Sequence, residues 1–256
     1  MKKSVIFVGV GEMGGVFARG VLKLGHPVIP VTRDMDMQAV ADAYPDPLLV
    51  LVSVGESDLH PVLTSLPSQW YSCLGLLQNE LLPRDWQTYS YTDPSVISVW
   101  FEKKKGQDFK VLIPSPAYGP QSTLLVDALA TLGIPARAIA DEDELLYELV
   151  RKNVYILTTN IAGLITGGNV ETLWNDHREI ATTVANEVID IQQWLTKTTF
   201  DRDRLLAGFV EGIEGDRAHM CMGRSAPGRL TRALGFADKA GLEVKKLREI
   251  YAQKVK

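Results

Sequence analysis

Thiols are scarce in this sequence: Cys73 and Cys221 are the whole supply. Two cysteines far apart cannot build a disulfide framework or, by themselves, a tetrahedral zinc site. Long apolar runs are missing too, and none approaches the roughly 18 residues that would span a bilayer. Charge of one sign is also lacking. A net charge of −4 on 256 residues argues against a general nucleic-acid binder and against a polybasic membrane-surface protein. Met1-Lys2-Lys3 leads straight into a short strand-like run, without a signal-peptide cleavage pattern. The expected setting is the cytoplasm, with no membrane or nucleic-acid partner and no bound metal.

What is present is the composition of a folded protein, 46% hydrophobic and 23% charged, near globular averages. In the first half, short apolar runs alternate with helical patterns: Ser4–Val10, Pro27–Thr32, Leu48–Val54 and, more weakly, Ser72–Gln78. The third run, LLVLVSV, is apolar almost throughout, as a strand covered on both faces must be. This alternation predicts βαβ units with right-handed crossovers. Val96–Glu102 and Phe109–Pro114 flank Lys103-Lys104-Lys105-Gly106-Gln107-Asp108. A glycine and a solvated charge cluster between two strand-like runs predict a hairpin, a better account of the lysine triplet than a phosphate patch.

A helix over 121–132 and a last strand over 134–139 complete this part. After Asp141 the pattern becomes helical only, with helices expected over 144–165, 170–196, 201–222 and 229–240 and a tail helix from Val244. The expected class is therefore α/β: a doubly wound, Rossmann-type sheet in a dinucleotide-binding domain over residues 1–141, then an all-α domain over 142–256. The long apolar helices of the second half could bury a dimer contact.

Gly9-Val10-Gly11-Glu12-Met13-Gly14 fits G-x-G-x-x-G between the first strand and the first helix. In this pattern the first glycine permits a tight turn and the second lets backbone approach a pyrophosphate. The third lets helix and strand pack closely, and helix N–H groups hold the phosphates. The residue that reads the ribose is expected about 20 positions on, where Arg33 and Asp34 stand together. An acid there accepts from the 2′-hydroxyl of NAD, whereas an arginine pairs with the 2′-phosphate of NADP. Arg33 comes first after the strand and favours NADP(H). The bland alternative is that Arg33 and Asp34 pair with each other at the surface.

In the second half Lys152 stands out. Leu145, Leu149, Lys152, Ile156, Asn160 and Gly163 recur at three- and four-residue spacing and share a helix face. A lysine on an otherwise apolar face costs desolvation unless it has a partner or a task, and burial pulls an ammonium toward proton donation near neutrality. The alternative is a stem lying along the face with its head in solvent. His177, among Asn175, Asp176 and Arg178, reads as surface; His219 and Cys221 read as helix-packing residues.

Together these features resemble the ketopantoate reductase (2-dehydropantoate 2-reductase) family over nearly the whole chain. Gly9 to Gly14 resembles its cofactor turn, and Gly25-His26-Pro27-Val28 through Arg33 its second strand, ending in the arginine that meets the 2′-phosphate. Leu76-Leu77-Gln78-Asn79 resembles the strand end whose asparagine sits near nicotinamide and substrate, and Ala117-Tyr118-Gly119-Pro120 the turn after the hairpin. Glu148-Leu149-Val150-Arg151-Lys152-Asn153 is similar to the helix segment holding the catalytic lysine, and Asn160 to an asparagine that contacts substrate. Gly223-Arg224 resembles the start of a late G-R-x-T-E segment, which makes Arg224 and Ser225 candidates for the substrate's hydroxyl or carboxylate.

The resemblance implies an NADPH-dependent reductase of a 2-oxoacid, with Lys152 as the general acid and ketopantoate as the leading substrate. The pattern departs at Ile156, where an asparagine is implied, at Glu80, where a glycine is, and at Ser225 to Gly228, which supply no late glutamate. Reduction of another small carbonyl or imine, and NADP(H) binding without turnover, therefore remain as alternatives.

Overall fold

A computed structural model of the chain describes residues 2–91 and 93–254. It divides into two units, Met1–Glu148 and Leu149–Lys256. The first unit runs β1 (Val5–Val8), α1 (Glu12–Lys23), β2 (Val28–Val31), α2 (Met37–Ala43), β3 (Leu49–Val52), α3 (Leu59–Ser65), β4 (Leu74–Leu76), α4 (Arg84–Gln87) and β5 (Ser95–Ile97). It continues through β6 (Phe101–Lys103), β7 (Phe109–Val111), β8 (Ser115–Tyr118), α5 (Ser122–Ala130) and β9 (Ala136–Ala138) into α6 (Glu142–Thr166), whose first turns belong to this unit.

Seven strands form one sheet in the order β2-β1-β3-β4-β5-β8-β9. Pairing is parallel except between β5 and β8. In β1 and β3, every residue of VIFV and LVLV is buried, because both faces of the sheet are covered. On one face Val5, Phe7, Leu49 and Leu51 join Phe17 and Val21 of α1 with Leu125, Ala128 and Leu129 of α5 in a single core. Helices α1 and α5 approach so closely that a Cβ on Gly20 would collide with the Ala128 carbonyl. The chain crosses from β2 on one side of β1 to β3 on the other, so the carboxyl ends of β1 and β3 form a topological switch point.

The run expected over 96–102 is two strands. Its first part, β5, stays in the main sheet, and Ser98 N still donates to Pro116 O at 2.9 Å. Its second part, β6, leaves to pair with β7, Phe101 opposite Val111 and Lys103 opposite Phe109. Strand β8 was not anticipated because Pro114, Pro116 and Pro120 make its stretch read as a loop. Pro116 has no N–H to donate, but its carbonyl accepts from Ser98 N, just past β5.

The second unit comprises the rest of α6, then α7 (Val170–Asp176), α8 (Arg178–Thr196), α9 (Arg202–Gly215), α10 (Ala226–Ala240) and α11 (Lys245–Lys254). Helix α6 starts two residues earlier than expected, because Asp141 Oδ1 accepts from Asp143 N at 2.7 Å and Glu144 N at 3.2 Å and so caps it. The helix expected over 170–196 breaks at His177, with φ −130° and ψ 31°. Asn175 and Asp176 before it favour turns over continued helix, and His177 is half-buried at the joint. The helix expected over 201–222 ends at Gly215. Beyond it the chain is pulled onto the start of α7: Val170 N donates to His219 O at 2.9 Å and Cys221 N to Gly168 O at 3.0 Å. His219 and Cys221 therefore pack from an irregular segment, not from a helix. Pro227, in the first turn, lets α10 begin three residues early.

Among the described residues no helix is long and apolar enough to cross a membrane, and no group of three or more His, Cys, Asp or Glu could hold a metal ion.

Candidate functional site

The glycine turn lies at the switch point. Gly9 leaves β1 with φ +88°, a left-handed conformation that suits glycine. Gly14, in the first turn of α1, sits so tightly that an added Cβ would lie 2.5 Å from Gly9 O and 2.5 Å from Ser53 Oγ. Ser53, just past β3, donates its hydroxyl to Gly9 O and so ties the two strand ends together. Gly11 differs. It caps α1 with no side-chain hydrogen bond to the helix, and a Cβ there would have nothing within 4 Å. The turn thus combines two positions closed by the protein with one left open in front of a 12-residue helix. Such a helix end favours anions, and these residues fit the pyrophosphate of a dinucleotide. Val10 is exposed beside them, and Met13 packs against the core.

Glu12 opens α1 and is the acid of this turn. Lys103, at the end of β6, places Nζ 3.2 Å from Glu12 Oε2 with its side chain only 15% exposed. The lysine triplet does form a hairpin tip, but its first member faces the glycine turn. Arg33 stands in the bend after β2 with its side chain 88% exposed, and pairs with Asp58 at 3.4 Å in place of Asp34. At the end of β4, Gln78 is buried, and its Nε2 donates to Val52 O at 2.7 Å. That amide locks the ends of β3 and β4 together. Asn79 follows, half-buried in a turn, and Glu80 adopts φ +61° where a glycine would be unstrained. The carboxyl edge of β1 to β4 therefore gathers the glycine turn, Arg33, Ser53 and Asn79.

In the second unit Lys152 is 5% exposed near the middle of α6, which leaves little of it to snorkel. Its neighbours anchor the helix to the rest of the unit. Arg151 donates Nε to Gly208 O at 3.3 Å and a guanidinium nitrogen to Glu211 at 2.8 Å. Asn153 donates to Gln192 Oε1 at 3.0 Å. Successive helix residues are about 100° apart, so α6 turns Arg151 to α9, Asn153 to α8, and Lys152 to the face between.

Asn160, two turns on and 8% exposed, is held at both ends of its amide. Nδ2 donates to Cys221 O at 3.3 Å, and Oδ1 accepts from Arg229 at 2.9 Å. Arg224 and Ser225 are exposed in the approach to α10, and neither is brought to Asn160 by a hydrogen bond. Arg229 is, and it was missed in the sequence. Gly228-Arg229-Leu230-Thr231 fits the G-R-x-T start of the late segment as well as Gly223-Arg224 does, and that signal could have found it. Ser53 and Lys103 carried no such signal.

Neither a family model nor a curated protein matches this chain in sequence. Solved structures do match in shape. A probable 2-dehydropantoate 2-reductase from Bacillus subtilis aligns over 98% of this chain and 98% of its own, with TM-score 0.67 and 18% identity. This chain has the ketopantoate reductase fold. A dimeric ketopantoate reductase from Staphylococcus aureus aligns over 97% and 96%, with TM-score 0.67 and 14% identity. D-mandelate dehydrogenase, solved with NADH and anilino(oxo)acetate, aligns over 96% and 96%, with TM-score 0.68 and 13% identity. The expected class, a Rossmann-type sheet followed by helices, is that of the ketopantoate reductase fold.

Proposed function

We propose that this protein is a nicotinamide-dinucleotide-dependent reductase of a small 2-oxoacid, with NADP(H) as cofactor. The leading substrate is 2-dehydropantoate, reduced to pantoate. One observation carries the reading: within the ketopantoate reductase fold, the first unit has a glycine turn left open at Gly11 and the second has a lysine buried in mid-helix at 5% exposure.

In this reading the backbone of Gly9, Val10, Gly11, Glu12, Met13 and Gly14 and the start of α1 hold the pyrophosphate. Arg33, whose only described partner is the exposed Asp58, exchanges that carboxylate for the 2′-phosphate. Asn79 orients the nicotinamide amide and the substrate. When bound, the reduced dinucleotide supplies a hydride to the ketone carbon. Lys152 hydrogen-bonds the ketone oxygen at Nζ, stabilises the negative charge that develops there, and delivers the proton that makes the hydroxyl. Water returns a proton to Nζ. Asn160, its amide fixed by Arg229 and Cys221, offers substrate its second Nδ2 proton. Arg224 and Ser225 meet the substrate's carboxylate or hydroxyl. The setting is the cytoplasm, and the protein is a homodimer, a reading supported by the dimeric state of the Staphylococcus aureus reductase.

A second reading, reduction of a different small carbonyl or imine, is favoured by half-buried Ile156, which puts an apolar surface where the family resemblance implies an amide. The two are separated by following the loss of reduced-nicotinamide absorbance with NADPH and a panel of 2-oxoacids, other carbonyls and imines. Turnover of 2-dehydropantoate is expected, as is a fall of at least about 10²-fold in Lys152→Ala, the usual scale for a lost acid–base group. Dinucleotide binding with no turnover of any substrate, or full activity in Lys152→Ala, would overturn the proposal.

A further inference from the structure

An acid in a phosphate-binding turn needs an explanation. Glu12 is the first residue of α1. The helix dipole favours a carboxylate at that end, but on the reading above a pyrophosphate must come to the same end, and two anions there repel. The molecule meets this conflict with a residue from outside the motif. Lys103 Nζ lies 3.2 Å from Glu12 Oε2 and also donates to Lys104 O at 2.9 Å and to Gln107 O. The two carbonyls take two of the ammonium's hydrogen bonds and hold its charge beside the Glu12 carboxylate. The lysine is thus fixed by its own hairpin turn and presented to Glu12, with 15% of its side chain exposed. Phe101, two residues earlier, packs on Phe17 of α1 with ring centroids 6.2 Å apart. Hairpin and helix are therefore joined by a ring contact and an ion pair together.

We infer that Lys103 is a positioning residue for the dinucleotide: it engages the Glu12 carboxylate and cancels its charge, so that the glycine turn accepts a pyrophosphate. The inference rests on the cofactor reading and adds to it a residue from the hairpin. The neighbouring Lys104 does not share the task. It pairs with Glu102 at 3.1 Å, within the hairpin itself.

The test is equilibrium binding of NADPH to the full chain and to Lys103→Met, Lys103→Arg, Glu12→Gln and the double variant Lys103→Met with Glu12→Gln, each checked for cooperative thermal unfolding. Lys103→Met should weaken NADPH by about tenfold, the scale of one uncompensated charge near another at a protein surface. Lys103→Arg should keep most of the affinity. Glu12→Gln should bind at least as tightly as the wild type, and the double variant should return to the level of Glu12→Gln. A double variant as weak as Lys103→Met would mean that Lys103 merely braces the hairpin, and would overturn the inference. So would unchanged binding in Lys103→Met. Wild-type protein that binds no dinucleotide would overturn the cofactor reading and this inference with it.

Discussion

Two alanine substitutions three residues apart should behave in opposite ways. In Gly14→Ala the new methyl would stand 2.5 Å from Gly9 O and 2.5 Å from Ser53 Oγ, with Ser53 Cβ at 3.3 Å. Real Cβ atoms essentially never come within 3.0 Å of such neighbours, so something must move. If Ser53 rotates away, its hydroxyl gives up the bond to Gly9 O, worth about 1 kcal/mol net. The Gly9 carbonyl is backbone between β1 and α1, and shifting it is an overpacking problem of about 1–3 kcal/mol. The sum, about 2–4 kcal/mol, is a large part of a typical total stability of about 5–15 kcal/mol. At about 2–4 °C per kcal/mol for a chain of this size, the melting temperature should fall by about 4–16 °C.

Gly11→Ala meets nothing within 4 Å, and φ −68° with ψ −165° suits any residue. Its stability should stay within about 0.5 kcal/mol of the wild type. The methyl would instead occupy space through which a pyrophosphate reaches the backbone, so NADPH affinity should drop at least about tenfold, or about 1.4 kcal/mol. Urea denaturation followed by circular dichroism reads the first effect, and titration calorimetry with NADPH reads the second. Unchanged stability in Gly14→Ala would refute the packing argument. Undiminished affinity in Gly11→Ala would refute the placement of phosphate at this turn.

Two further outcomes are expected. Arg33→Ala should leave stability within about 0.5 kcal/mol, since its pair with Asp58 is exposed, while weakening NADPH at least about tenfold relative to NADH; equal affinities for NADPH before and after would remove the assignment of Arg33 to the 2′-phosphate. Both thiols should resist a disulfide reagent in the native protein at neutral pH, because burial pushes Cys221 up to about 11, and burial with the nearby Asp46, partly offset by Lys3, pushes Cys73 up to about 11. A raised thiol value means less thiolate at a given pH, so labelling of Cys73 should keep accelerating beyond pH 9, where an ordinary thiol levels off; rapid labelling of both at neutral pH would contradict this.

The alternating half of the fold was legible because β1, β3 and the first turn of α1 each carry a local pattern: an apolar run, a second apolar run, and three glycines at fixed spacing. Helix α6 was legible for a similar reason, its acids at the start and its apolar seam at 3.6-residue period. The elements that were missed have no local pattern. Strand β8 exists because β5 and β9 offer it partners, despite a proline in its middle. The stretch after Gly215 gives up helix because Gly168 and Val170 offer its backbone other hydrogen bonds. The joint at His177 splits what the apolar period joins, since Asn175 and Asp176 weaken the helix there without interrupting its hydrophobic face.

The candidate residues of the two units divide along the same line, and this bears on how they came to be where they are. Gly9, Gly11, Gly14 and Lys152 can be read from spacing because their requirements are met within one turn or one helix face. Ser53, Lys103 and Arg229 each act from a distance in sequence on a residue in the same turn or on the same helix face: Ser53 on the carbonyl of Gly9, Lys103 on the carboxylate of Glu12, Arg229 on the amide of Asn160. Each satisfies a polar group that the local motif leaves needing a partner, and an unsatisfied buried or charged group is costly. The needs of a motif can therefore be deduced from sequence even where the residues that meet them cannot. An acid inside a turn proposed to hold phosphate calls for a cation, and an asparagine on a buried helix face calls for partners at both ends of its amide. Only the folded chain shows that Lys103 and Arg229 answer those two demands.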